Sequence, residues 1–378
     1  MTDAPVLFSE LPTRGGMRIG VATLNAEKSL NSLTLEMIDL LMPQARAWAT
    51  DPGIALILLE GAGERAFCAG ADLTRLHAAC LAHHASDQRH DLRANAYALN
   101  FFSREYRLDY FLHRYPKPVL AWGNGVVMGG GMGLLVGASH RVVTDRLRLA
   151  MPEINIGLYP DVGGSWFLSR APGGVGIFLA LTAAQLSAPD ALFAGLADMQ
   201  IEHARKAEVM QLLADHSWHA EPARNHRDLS RVLQGVAMAG AAQGPLRAHF
   251  DAINAACSGE TAEEIVAGIN ALAVQGEWFE RAAASLNAGS PSTVVLSIAL
   301  QRRLRHCSLA EVFRAELVAS LQCCARPDLA EGIRALLIDK DRQPKWRPAA
   351  VQDVTAAEID TFFASPWPAA EHPLVDLA

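Results

Sequence analysis

The chain has no apolar run approaching the roughly 18 to 20 residues that a membrane-spanning helix needs. Its best candidate, "GGGMGLLVGAS" at 129–139, is short and broken by glycine. Long basic runs are absent too, and 33 Lys and Arg against 40 Asp and Glu give a formal net charge of −7. No electrostatic footprint is left for a nucleic-acid backbone or an anionic membrane surface, so neither is expected as a partner. The six cysteines, Cys68, Cys80, Cys257, Cys307, Cys323 and Cys324, show no C-x-x-C spacing, and "MTDAPVLFSELP" lacks a basic segment followed by an apolar one. A reducing, cytoplasmic setting is the expectation.

Several catalytic signatures are also missing. After Gly123 and Gly125 the next glycine is Gly129, which breaks G-x-G-x-x-G, and no G-K-[ST] follows to make a phosphate loop. "GGSWF" around Ser165 is not a G-x-S-x-G elbow. His77, His83, His84 and His90 share one polar segment without H-E-x-x-H or cysteine spacing, so a solvated helix and loop is expected there rather than a metal site. Cys68 lies in an apolar turn with no evident base and is expected to be a small core residue.

What is present is a chain of 378 residues, 51% hydrophobic and 19% charged, enough for one large domain or two ordinary ones. Apolar runs rich in β-branched residues at 17–25 and 53–61 flank a helical pattern that opens after Ser32 or Thr34. The alternation recurs: a helix over most of 91–114, the strand "KPVLAWGNG", a glycine-opened helix over 130–139, then "HRVVT" and "LRLAM". Strands alternating with helices predict an α/β fold with a largely parallel, buried sheet. Beyond about Ser187 the pattern turns helical, including stretches at 308–325 and 328–338 and a helix opening near Pro291. The expected division is an α/β core at 1–187 and a helical C-terminal region at 188–378.

Two glycine-rich turns stand out. In "ERAFCAGADL" the small residues Ala69, Gly70 and Ala71 let main-chain N–H groups approach a ligand, though an ordinary strand-to-helix turn reads the same way. In "GNGVVMGGGMG" the glycines at 129–131 open a helix whose free N–H groups suit an oxyanion, with close helix packing as the alternative. Together they would supply a two-donor hole for an acyl oxygen that gains charge. "MPEINIGLYPDVGG" then places Glu153 and Asp161 among apolar residues, where ionised carboxylates need partners or a catalytic use. A turn cap for Glu153 and an N-cap for Asp161 remain equal alternatives.

"AFCAGADL", "KPVLAWGNGVVMGGGMGL" and "AMPEINIGLYPDVGGSWFLSR" resemble, in order and spacing, the enoyl-CoA hydratase/isomerase (crotonase) superfamily. "FFSREYRLDYFLHRYPKP", "GSPSTVVLSIALQRRL" and "EGIRALLIDKDRQPKWRP" are similar to its 3-hydroxyisobutyryl-CoA hydrolase branch, so the likeness runs over about 20–363. It implies a crotonase-like ββα spiral and a thioester carbonyl held by the N–H groups of Ala71 and Gly130. Hydratases of the superfamily carry one glutamate three residues after that glycine, where this chain has Gly133, and a second at the place of Glu153. Glu153 with Asp161 is the pair of the hydrolase branch.

The resemblance therefore implies a thioesterase in which Glu153 attacks the carbonyl or activates water and Asp161 orients water or moves a proton. It also implies the adenine end of coenzyme A beside Leu30, Asn31 and Ala69. Glu105 matches a glutamate that would meet a polar acyl group, with a plain helix-face ion pair as the alternative. The partner is an acyl-CoA substrate, coenzyme A is part of that substrate, no cofactor or metal is expected, and the superfamily's core commonly forms trimers or pairs of trimers. Hydration or isomerisation, and a catalytically silent acyl-CoA-binding protein, are the competing functions. The chain departs from the hydrolase branch in "CAGAD" where "CAGGD" is common, and in an alanine-rich stretch at 204–280.

Overall fold

A computed structural model describes residues 4–238 and 243–378, arranged as two compact units. The first takes the chain up to Ala71 together with Leu108–Leu149 and Gln185–Gly244; the second takes Asp72–Arg107, Ala150–Ala184 and Pro245–Ala378. Past residue 187 the two-residue strand Met199–Gln200 is the last among the described residues.

The strands are β1 (Val6–Pro12), β2 (Arg18–Leu24), β3 (Ile54–Gly61), β4 (Ala66–Cys68), β5 (Val119–Gly123), β6 (Val126–Met128), β7 (His140–Val143), β8 (Arg148–Ala150) and β9 (Met199–Gln200). A six-stranded sheet in the first unit runs β1-β2-β3-β5-β7-β9. Its neighbours are parallel except β1 with β2. The runs at 17–25 and 53–61 become β2 and β3, as the apolar pattern predicts. β1 is an addition: "VLFSELP" breaks its apolar residues with Ser9 and Glu10 and ends in proline, a composition suited to an edge with one side wet.

Alternation along the inner strands gives the sheet two apolar faces. Val21, Leu56, Leu58, Leu120, Trp122 and Val142 pack against Val209, Leu213, Leu229 and Leu233 of the helices Lys206–Asp215 and Pro222–Gln234. Residues one step out of phase, Ala22, Leu24, Ile57 and Leu59, line a small cavity with Leu41, Ala45 and Trp48 of the helix Leu35–Thr50. That helix buries Met37, Ile38, Leu41, Ala45 and Trp48, a stripe at helical spacing. Thr34 Oγ1 caps it by accepting from Met37 N–H at 3.1 Å.

A second sheet, β4-β6-β8, sets the two glycine-rich turns. β4 and β6 are parallel, with Ala66 opposite Val126 and Cys68 opposite Val127, so both strands end together. The second unit is mainly helical around buried aromatics, with Tyr106 centred 5.7 Å from Phe102 and 5.6 Å from Phe313. Its helix Pro291–Arg303 is capped by Ser290 as the sequence predicts, and the helix Leu309–Ala325 opens on a capping box of Ser308 and Glu311 that the structure adds.

A Cβ at Gly131 would lie 2.3 Å from the Cys68 carbonyl oxygen, so only glycine lets this turn close against β4. Gly131→Ala is expected to destabilise the protein by about 1–3 kcal/mol in urea denaturation, because a main-chain atom has to move.

Candidate active site

Within the first unit, the turns after β4 and β6 lie against each other. A Cβ on Gly70, whose φ is +100°, would meet the Met128 carbonyl oxygen at 3.3 Å and the Gly129 Cα at 3.7 Å. Gly130 is the first residue of the helix Gly130–Gly137, where an N–H has no intrahelical acceptor. Leu33 N–H donates to the Gly70 carbonyl at 2.7 Å and fixes the turn that presents Ala71. Parallel strand ends thus bring the turns of Ala71 and Gly130 together.

The same unit holds the residues assigned to the adenine end. Leu30 and Asn31 sit in left-handed conformations at φ 55° and 57°. The Asn31 amide is occupied by the fold: its Nδ2 donates to the Ala62 and Ala66 carbonyls at 3.0 and 2.9 Å, and its Oδ1 accepts from Ala26 N–H. Ala69 N–H donates to the Leu30 carbonyl at 3.0 Å. Gly133 faces Asp109: a Cβ there would stand 2.7 Å from Asp109 Oδ2. A glutamate therefore cannot be rooted at Gly133 unless Asp109 gives way.

The second unit holds the carboxylates. Glu153 opens the turn Glu153–Ile156 and Asp161 precedes Val162 and Gly163, both left-handed. Each acid is 5% exposed. Neither is a cap. The short helix Gly164–Phe167 is preceded by Gly163 with no side-chain cap, and Pro152 holds the capping position before Glu153. The N-cap alternative for Asp161 is corrected because Val162 and Gly163 turn the chain between it and the helix.

Asp161 Oδ2 instead accepts from the Tyr106 hydroxyl at 2.7 Å. Burial pushes its pKa up to about 6, and the Tyr106 hydrogen bond opposes that rise. Glu153 Oε2 has no hydrogen-bond partner among the described residues. Burial first, and the Asp161 charge second, lift its pKa well above the carboxylate range. Two acids in mutual electrostatic reach, differing in their hydrogen bonds, can hold and move a proton between neutral and anionic states.

Sequence reasoning missed the residues behind them. Tyr106 Oη and Ser320 Oγ are 2.7 Å apart, and the Tyr159 hydroxyl reaches both Ser320 Oγ at 2.9 Å and the Glu316 carbonyl at 2.7 Å. The buried Glu316 carboxylate accepts from Gly163 N–H at 2.7 Å and Ser165 N–H at 2.9 Å, while burial pushes its pKa up to about 8. The available signal was polar residues inside apolar helical stripes, with Glu316 and Ser320 four apart and Tyr106 among Phe101, Phe102 and Leu108.

Glu105 lies in the second unit and is 1% exposed. Cys68 is fully buried, as expected of a core residue. The solvated histidine segment is corrected at its helical end. His83 is buried with Nε2 3.1 Å from the Gln88 and Asp91 carbonyls, and His84 Nε2 lies 2.8 Å from the Cys324 carbonyl, because the helix Leu73–His84 packs inside the second unit. Among the described residues no three His, Cys, Asp or Glu side chains converge to hold a metal ion, and no single helix is long and apolar enough to cross a membrane.

The chain belongs to the enoyl-CoA hydratase/isomerase family, whose profile matches residues 19–363, and its α/β architecture is the crotonase fold. Among individual relatives, the protein named 3-hydroxyisobutyryl-CoA hydrolase, mitochondrial, of Gallus gallus is 36% identical over 358 residues, spanning 93% of this chain and 88% of its own. The human protein of that name is 36% identical over 360 residues, spanning 92% and 86%. Among solved structures, a carnitinyl-CoA dehydratase from Mycobacterium thermoresistibile superposes with a TM-score of 0.83 at 34% identity, over 97% of this chain and 98% of its own. An enoyl-CoA hydratase from Rhodobacter sphaeroides 2.4.1 gives 0.81 at 31% identity, over 96% and 98%.

An acid with a higher pKa folded than unfolded binds more protons when folded, so stability falls as pH rises between the two values. For Asp161 the window runs from 3.8 to about 6. Asp161→Asn removes that dependence. Its stability relative to the parent should gain about 1–3 kcal/mol between pH 4 and pH 8 in urea denaturation, whereas a pH-independent difference would contradict the burial argument.

Proposed function

We propose that the chain hydrolyses an acyl-CoA thioester, and that its substrate is 3-hydroxyisobutyryl-CoA, cleaved to 3-hydroxyisobutyrate and coenzyme A in valine breakdown. The observation that carries this is Gly133. The glutamate a hydratase would use there is absent, the Asp109 carboxylate crowds the place where its side chain would begin, and Glu153 and Asp161 are retained as buried acids. Relatives named 3-hydroxyisobutyryl-CoA hydrolase at 36% identity support the substrate.

In this mechanism the thioester oxygen is received by the N–H groups of Ala71 and Gly130, which stabilise the charge of the tetrahedral intermediate. Glu153, ionised, either attacks the carbonyl carbon, so that collapse of the tetrahedral intermediate breaks the C–S bond, releases coenzyme A as the thiol and leaves an anhydride that water then opens, or takes the proton of a water that attacks directly with the same loss of coenzyme A. Asp161 orients that water or the substrate hydroxyl and moves a proton. Leu30, Asn31 and Ala69 lie along the adenine end of coenzyme A through their main chain, and Glu105 meets the polar acyl substituent. Coenzyme A enters as substrate, no separate cofactor takes part, the copies associate, and the setting is cytoplasmic.

Hydration or dehydration is the second reading, favoured by the names of the two solved structures. A thiol-release assay over a small acyl-CoA panel, run beside an enoyl-CoA hydration assay, separates them. Thioester cleavage without hydration is expected, and Glu153→Gln should lower it by about 10²- to 10⁴-fold. Hydration without thiol release would overturn the proposal. In a single turnover in isotopically labelled water, label in Glu153 marks the anhydride route and unlabelled Glu153 the direct attack of water.

A further inference from the structure

We propose that Tyr106 is a positioning residue for Asp161, aimed by Ser320 of the helix Leu309–Ala325, whose Glu316 holds the main chain beside Asp161, and that the Tyr106 hydroxyl holds the Asp161 carboxylate in one orientation as an anion. The consequence for rate rests on the thioesterase reading. The consequence for the proton affinity of Asp161 stands without it.

The argument starts from counting protons. Tyr106 has one hydroxyl proton, and an ionised carboxylate can only accept, so the 2.7 Å contact spends that proton on Asp161 Oδ2. The Tyr106 oxygen then accepts, and Ser320 at 2.7 Å is its donor. With the serine proton committed to Tyr106, the Tyr159 hydroxyl is the group left to donate, either to Ser320 Oγ or to the Glu316 main-chain oxygen. The chain of hydroxyls therefore points toward Asp161 and has no freedom to reverse while Asp161 is charged. Ser320 and Tyr106 are both fully buried, which keeps bulk solvent from the pair.

Glu316 holds the other end of the same loop. Its carboxylate accepts from the N–H groups of Gly163 and Ser165, and Gly164 N–H donates to the Asp161 carbonyl at 2.7 Å. Val162 is thereby kept at φ 52°, a conformation a β-branched residue rarely adopts. One helix thus fixes both the main chain beside Asp161 and, through Tyr106, its side chain.

The titratable groups that interact with Asp161 are Glu153, Tyr106, Tyr159, Glu316, Cys323 and Cys324. All of these are acids. The Tyr106 hydrogen bond is the side-chain interaction that opposes desolvation and favours the anion.

Tyr106→Phe keeps the ring among Phe102 and Phe313 and removes one hydroxyl. The expected result in thiol release is a kcat lowered about tenfold, a KM changed less than about twofold, and an acid limb of the kcat profile moved up by about one pH unit. Ser320→Ala should move the limb in the same direction by less, and it replaces Tyr106→Phe as the test if that variant does not fold. Difference infrared titration of the carboxyl band that vanishes in Asp161→Asn gives a readout independent of the reaction. Its midpoint should rise in Tyr106→Phe. An unchanged midpoint overturns the proposal even if activity falls, and a risen midpoint in a protein that releases no thiol upholds it while refuting the thioesterase reading.

Discussion

Burying a carboxyl group away from water is the constraint around which the second unit is organised. Glu153, Asp161 and Glu316 are each held where ionisation is opposed by desolvation. A helical bundle with an aromatic core has no structural need for three such groups, and apolar side chains of similar size would remove the penalty. Their surroundings are instead adapted to them: a tyrosine hydroxyl for Asp161, two main-chain N–H groups for Glu316, and for Glu153 Oε2 no partner. The three are graded in hydrogen bonding, from Glu316 with two main-chain donors to Glu153, whose Oε2 has none among the described residues.

In the first unit the main chain is what the sequence arranges. The turns that present Ala71 and Gly130 depend on where strands end and on which neighbours lack a Cβ, so the relevant code is the spacing of small residues. Parallel pairing of β4 with β6 is what converts two separate glycine-rich stretches into adjacent turns. Gly133 works through the same logic in reverse, since its missing side chain leaves room for the Asp109 carboxylate.

Much of this was legible beforehand because it is written locally. The inner strands follow from β-branched apolar runs, the helices after Thr34 and Ser290 from their caps, the helix at 309–325 from its spacing, and the glycine turns from composition. β1 escaped notice because an edge strand with one wet side carries a mixed pattern. The N-cap alternative for Asp161 failed on two left-handed residues that sequence does not announce, one of them a valine. Tyr106, Glu316 and Ser320 were hidden for a different reason: their meaning lies in partners 55, 153 and 214 positions away along the chain. The segments that make up each unit are likewise discontinuous, which a change in composition near residue 187 does not reveal.

Glu316 grips N–H groups, and N–H groups are common to every residue except proline. At 163 the left-handed turn favours glycine, and at 165 the serine side chain joins the main-chain N–H as a partner of Glu316, so proline is excluded at both places and neither drifts freely. The clamp is held as strictly, because it needs an acceptor with two oxygens at a fixed height on its helix. Variation in this part of the protein should be coupled, the loop and a single position more than a hundred residues later changing together or not at all.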